Sequence, residues 1–334
     1  MNRLIFVQDT ILLVLYSLTS LLALIGNGIV YRVCLQRRNS IYSQSTSHLP
    51  LTTTSIFLLN LAIADALSGL TIPIQFIFCS KYFLEKFPCS SYLCLLTKSI
   101  EILGYNASTL TICVIAFDRY RLVNNPLQQY HRIKTRRALF FIWILPGLFS
   151  TSCLVSMKVN TYFNSYQQLI SCEILFPLTT KYFSNDYIQK IRAFCLTFLF
   201  YIIPLFINTI LCILTMRTIA RRTIIGVSKF RTFEQSRTRS IRLLMVIVIV
   251  FALSHLPVHF INVRDFFISS SKVSNVRSTQ ANKCNYSTMY LLFYWLGSSS
   301  CCHNPIIYSW FNRQYRTIAL NYYRSIVYCG RQQL

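Results

Sequence analysis

The sequence predicts an all-α membrane protein, a bundle of seven transmembrane helices followed by a short C-terminal interfacial helix. Three observations predict it. Of 334 residues, 54% are hydrophobic and 13% charged, about half the charged share of an ordinary soluble domain. The apolar residues gather in seven blocks, each close to the roughly 20 residues that a helix needs to cross a bilayer core. The third observation is charge: 33 Lys and Arg against nine Asp and Glu give a net charge of +24, and the basic residues avoid the apolar blocks. On a soluble chain such an excess points to nucleic acid. Here the alternate connections 32–50, 119–137, 217–242 and 311–334 hold 21 of the 33 basic residues. The excess therefore reads as positive-inside bias, with basic faces for membrane lipid and an intracellular partner and no nucleic-acid partner. It places the C-terminus in the cytoplasm and the N-terminus outside.

The seven spans run over about 9–35, 54–78, 91–117, 138–157, 193–216, 241–264 and 287–310. A cleaved signal peptide competes for the first block, which begins near Met1, but the block exceeds a signal's apolar core and lacks a small-residue cleavage site. The second block carries Asp65, and the third carries Lys98 and Glu101. The seventh carries a cluster of Ser, Cys, His and Asn. Pro73, Pro146, Pro204, Pro257 and Pro305 each fall inside a block, where a missing N–H bends the helix. Five jointed helices suggest a bundle that flexes. After the last span, 311–322 places Phe311, Tyr315 and Ile318 on one face and Arg313 and Arg316 on another, as an interfacial helix does. Cys329 beyond it is a candidate for palmitoylation. No internal repeat is visible and the connections are short, so 1–334 reads as a single domain. Thirteen cysteines are too few for a disulfide scaffold in a chain this long, and no Cys or His spacing suggests zinc.

A charged residue inside a membrane span needs a partner or a function. Asp65 is the clearest case. Gly26, Asn27, Asn60, Ser108, Ser300 and Asn304 would surround its carboxylate with oxygens and amides if their helices pack together. An oxygen-rich site suits a hard cation, and a sodium ion at Asp65, Ser108, Ser300 and Asn304 is the one ligand of this kind expected. A protonated Asp65 within a hydrogen-bond network is the alternative. No other cofactor is expected.

One motif per span then carries a resemblance: Gly26–Asn27, Leu61 through Asp65, Asp118–Arg119–Tyr120, Trp143, Pro204, Phe251 through Pro257, and Asn304–Pro305–Ile306–Ile307–Tyr308. Together they resemble rhodopsin-like (class A) G-protein-coupled receptors over about 20–316. Pro73, Leu256 through His259, and the run Asn304 to Arg316 are similar to the peptide-receptor group, tachykinin and neuropeptide Y type receptors in particular. The resemblance implies a plasma-membrane receptor and transducer for an extracellular peptide, with a biogenic amine as the runner-up, acting on a heterotrimeric G protein. It implies that Arg119 pairs with Asp118 at rest and faces the G protein on activation, with Tyr120, Pro126 and Leu127 beside it. It also implies that Phe251, Pro257, Asn304, Pro305 and Tyr308 move as the sixth and seventh helices rearrange, and that Cys94 is bridged to Cys172. Both cysteines are expected outside the cell, where oxidation is favoured.

The ligand cavity is expected between the outer halves of the third, fifth, sixth and seventh spans. Glu101 lies two helical turns below Cys94 on the same face, and a buried carboxylate favours a cationic group on the ligand. Lys98, three residues earlier, offers an alternative by neutralising Glu101 within its own helix. Gln75, Glu173, His255, His259, Asp265, Phe293 and Trp295 complete the expected lining.

Departures from the family pattern limit what carries over. His255 stands where a Trp is usual, Cys212 where a Tyr usually meets Arg119, and Arg237 where an acid often locks Arg119. Without that lock, ligand-free signalling is expected. Ser298 takes the place of the retinal-binding lysine, which excludes an opsin. Asn285-Tyr286-Ser287 is a glycosylation sequon in an outer loop. Cys89 and Cys284 either pair or remain free thiols. No nucleophile–base pair or metal-ligand set suggests an enzyme. An ion-coupled transporter or channel using Asp65 and Glu101 is the alternative from another class, disfavoured by the absence of repeat symmetry.

Overall fold

Within lipid every backbone N–H and C=O must be satisfied internally, and the seven apolar blocks do so as helices. The structure is a computed structural model that describes residues 2–44, 53–79, 91–124, 135–156, 160–164, 167–171, 185–224, 231–270, 288–311, 315–318, 320–321 and 324. Helix α1 is Asn2–Gln44, α2 is Thr53–Cys79, α3 is Ser91–Asn124 and α4 is Thr135–Ser156. Helix α5 has two α-helical parts, Asn185–Thr197 and Ile203–Ile224, joined by a π-helical turn at Phe198–Ile202. Helix α6 is Arg231–Ser270, and α7 is split into Thr288–Ser298 and Ser300–Phe311. Most helices run past the expected spans into the polar flanks, because helical pairing continues beyond the apolar block. The described part of 311–322 is helical at 315–318.

One element departs from an all-helical reading. Between α4 and α5, strands β1 (Asn160–Asn164) and β2 (Gln167–Ser171) pair antiparallel, with Asn160 opposite Ser171 and Asn164 opposite Gln167. Thr, Tyr, Phe and Ile favour the extended chain here, and only two residues separate the strands, as in a tight hairpin.

The outer faces of the helices are apolar. Phe206 (67% exposed), Phe260 (65%) and Trp310 (78%) point away from the bundle, an arrangement at home in hydrocarbon and untenable in water. Five of the helices contain stretches long and apolar enough to cross a membrane. Inside, Phe57, Leu61, Ile142, Leu244 and Tyr308 form the core at the Arg119 end, while Leu12, Tyr16, Phe76 and Leu291 form a second core toward the Glu101 end.

Small residues and freed carbonyls set the closest helix contacts. A Cβ on Gly26 would lie 2.8 Å from the Cβ of Pro305, and one on Gly104 would lie 2.8 Å from the Ala64 carbonyl oxygen, so glycine brings α1 onto α7 and α3 onto α2. Pro305 has no N–H for the carbonyl of Cys301 four residues earlier. Asn27 Nδ2 donates to that carbonyl at 2.9 Å and also to Ala23 O at 2.9 Å, so α1 caps the kink of α7. Asn60 links three helices: its Nδ2 donates to Thr111 Oγ1 and its Oδ1 accepts from Trp143 Nε1, both at 2.8 Å. Asn27 and Asn60, expected around Asp65, are thus committed elsewhere; each amide satisfies groups on its own level of the bundle.

Candidate functional site

A cavity of about 140 Å³ runs inside the bundle from Asp65 and Asn304 at its inner end, past Phe251 and His255, to Glu101 and Tyr294. Ser108 Oγ donates to Asp65 Oδ1 at 2.6 Å and Asn304 Nδ2 donates to Asp65 Oδ2 at 2.8 Å. Asp65 is 2% exposed, and its hydrogen-bond partners carry no formal charge. Ser300 lines the same end of the cavity. Ser108 of α3 and Asn304 of α7 thus meet the carboxylate of α2, with Ser300 in the same cavity wall, and this set of oxygens and an amide is one that suits a hard monovalent cation.

The other end is built differently. Lys98 Nζ donates to Glu101 Oε2 at 3.2 Å, to Tyr294 OH at 3.2 Å and to Gln75 Oε1 at 3.4 Å. The Tyr294 hydroxyl lies 2.5 Å from Gln75 Oε1 and also contacts Glu101 Oε1. Gln75 is oriented by donation from Nε2 to Thr97 O at 3.3 Å. Both Glu101 oxygens are engaged, and α2, α3 and α7 meet in one polar cluster. The three-residue spacing that could make Lys98 an internal counter-ion does so.

Between the two ends lies an aromatic layer. His255 is buried, with ring centroids 4.6 Å from Tyr105 and 4.7 Å from Phe251. A Cβ on Gly297 would fall 3.1 Å from His255 Nδ1, so glycine admits the imidazole against α7. His255 Nε2 has no hydrogen-bond partner among the described residues. His259 stacks on Tyr201 at 4.2 Å, and its nitrogens face Thr197 Oγ1 at 3.0 Å and Tyr105 OH at 3.3 Å. Among the described residues no group of three His, Cys, Asp or Glu is placed to hold a metal ion.

Two expected lining residues turn away. Helix α7 is interrupted at Ser299: its N–H still makes the regular bond to Trp295 O at 2.8 Å, but Cys302 N–H then donates only three residues back, to Ser299 O at 3.0 Å. The break re-aims the outer half of α7, so Tyr294 lines the cavity and Phe293 is exposed. Trp295 instead donates from Nε1 to Thr19 Oγ1 on α1 at 2.9 Å. Tyr294 was legible only as one aromatic among three, and Tyr105 only as a cavity-facing position one turn beyond Glu101.

At the Arg119 end, Asp118 accepts from Thr54 Oγ1 of α2 at 2.9 Å. The carboxylate is turned to α2 and, among the described residues, makes no direct ion-pair contact with Arg119, although the two charges still interact through space. Tyr308 packs near Tyr315, with centroids 6.5 Å apart, and Tyr315 OH donates to Gly26 O at 3.3 Å. Tyr120 is half-buried on α3, and Pro257 is half-buried on α6. Pro126, Leu127, Cys172, Glu173, Cys89, Cys284, Asn285 and Cys329 lie outside the described residues, as do the side chains of Cys94, Asp265 and Arg237.

Residues 40–308 match the family model described as 7 transmembrane receptor (rhodopsin family). The chain is similar to the Tachykinin-like peptides receptor 86C of Drosophila melanogaster, 31% identical over 330 residues, which is 96% of this chain and 59% of that protein. It is also similar to the C-X-C chemokine receptor type 1 of Rattus norvegicus, 24% identical over 306 residues, 91% of this chain and 77% of that protein. The chain thus spans 59% of the length of the first of these relatives. Helices jointed at Pro257 and Pro305, a polar centre at Asp65 and a family match over most of the chain converge on one assignment: this protein belongs to the rhodopsin family of seven-transmembrane receptors.

Proposed function

We propose that the protein is a peptide-activated G-protein-coupled receptor of the plasma membrane, with the Glu101 end outside and the Arg119 end facing the cytoplasm. The observation that carries this reading is the cavity that joins Glu101 to Asp65 through the Phe251–His255 layer. A ligand entering at Glu101 acts on α3 and α7, and α7 also holds Asn304 on Asp65. Contacts that differ between two bundle arrangements are what shifts such an equilibrium. Pro257 and Pro305 supply the joints.

Peptide is favoured over amine on two grounds. The relatives named above are receptors for tachykinin-like peptides and for chemokines. An amine's ring hydroxyls need partners on α5, and Thr197 there already faces His259. A basic group of the peptide is expected to reach Glu101, with Gln75, Glu173, His255, His259 and Asp265 around it. Asp65, Ser108, Ser300 and Asn304 would hold a sodium ion, which when bound neutralises the buried carboxylate. On the cytoplasmic side Arg119, freed from Asp118, is the residue that meets the G protein, with Tyr120, Pro126 and Leu127 bordering the cleft. Arg237 carries the same charge as Arg119 and cannot lock it.

The test is nucleotide exchange on an added heterotrimeric G protein by membranes carrying the full chain, in parallel with ion flux in proteoliposomes. Exchange without ligand, raised further by a member of a neuropeptide library, is the expected result. Ion flux with no exchange would replace the receptor reading by a transporter.

A further inference from the structure

The cavity passes through the aromatic layer instead of stopping there. At that level the imidazole of His255 on α6 lies against Gly297 on α7, where a Cβ would fall 3.1 Å from Nδ1. A larger side chain at either position would narrow the way from Glu101 to Asp65. Beyond Asp65, toward Arg119, the bundle is filled by Phe57, Leu61, Leu244 and Tyr308. The Asp65 carboxylate is therefore reached from the Glu101 end.

Asp65 is 2% exposed, and among the described residues its hydrogen bonds come from Ser108 and Asn304, neither of which carries a formal charge. A buried carboxylate is costly without a counter-charge. An ionised carboxylate has about four lone-pair sites, so both oxygens keep room for further donors. Ser298 and Ser300 line the same stretch of cavity, and His255 Nε2, in a side chain 5% exposed, has no hydrogen-bond partner among the described residues. An occupant with several donors and a positive charge is what these groups lack.

Shape selects among such cations. The layer is walled by the rings of Tyr105, Phe251 and His255, which favour a flat cation lying against their faces. A guanidinium is flat, carries only donors and matches a carboxylate with its planar fork.

We propose that Asp65 is a second ligand site, for a slender organic cation of the alkylguanidinium class that enters past Glu101 and through the His255–Gly297 layer. It stands on the cavity and not on the peptide reading, whose contacts lie at the Glu101 end.

The probes are butylguanidinium, its neutral isostere butylurea and the bulky cation tetrapropylammonium. Each is titrated against the full chain in nanodiscs of zwitterionic lipid in potassium buffer, with binding followed by saturation-transfer NMR. Butylguanidinium is expected to bind about tenfold more tightly than either comparator, and Asp65→Asn should remove that advantage. Gly297→Val and His255→Trp fill the layer without touching Asp65, and each should weaken butylguanidinium by about tenfold. Glu101→Gln should change it less than Asp65→Asn does. In the unmodified protein added sodium should displace the probe, a readout that needs no variant to fold. Equal binding of butylguanidinium and butylurea, no binding, no displacement by sodium, a greater loss with Glu101→Gln than with Asp65→Asn, or indifference to the layer variants that fold would each overturn the proposal. Since neither peptide nor G protein enters the measurement, its failure is distinct from a failure of nucleotide exchange.

Discussion

Two carboxylates in the wall of one cavity are treated in opposite ways. Asp65 is almost fully buried and is met by a hydroxyl and an amide, whereas Glu101 is half-buried and is met by an ammonium from its own helix. The deeper and more costly charge is the one left without a built-in counter-ion. The Asp65 site leaves its counter-charge to a mobile cation or a proton, whereas Glu101 already has one on its own helix.

Asp65→Ala should have the largest effect. It strands two buried donors, each of which costs about 1–3 kcal/mol when left unmet. A loss of roughly 3 kcal/mol on thermal unfolding in detergent is expected, and a loss no larger than that of any Glu101-cluster variant would erase the distinction drawn here.

Replacing potassium by sodium comes next. At about ten times its Kd, sodium should stabilise the protein by roughly 1.4 kcal/mol, and Asp65→Asn should abolish the effect while Glu101→Gln leaves it in place. A sodium-insensitive protein would mean that Asp65 holds a proton in a neutral network. Tyr294→Phe, which removes one partner from each of three side chains, should cost about 1 kcal/mol. Lys98→Met should cost about 0.5 kcal/mol, because a partly exposed pair is screened by water.

Much of the architecture is visible before any coordinates. The blocks of apolar residues, the prolines and the basic connections follow from what a bilayer demands of a backbone and of its flanks. Asp65 stands out because an acid in an apolar block has no other reason to be there, and Ser108 and Asn304 follow as its partners once their helices are set side by side. Phe293 fails as a lining residue because Tyr294, its neighbour, takes the cavity face, and the interruption of α7 at Ser299 has no signature in the residues around it. Asn27 fails as a neighbour of Asp65 because Pro305 frees a carbonyl on α7 that no reading of α1 alone reveals.

Sequence by itself determined that this chain crosses a membrane repeatedly, which residues are too polar to lie there idly, and to which family they belong, since these rest on composition and on spacing within single helices. The tertiary structure alone decided who meets whom: that Asp118 turns to Thr54, that Tyr294 rather than Phe293 reaches Glu101, and that Lys98 satisfies three helices at once. Partner choice is a matter of helix rotation and closeness, which depend on kinks, glycines and freed carbonyls contributed by different segments of the chain.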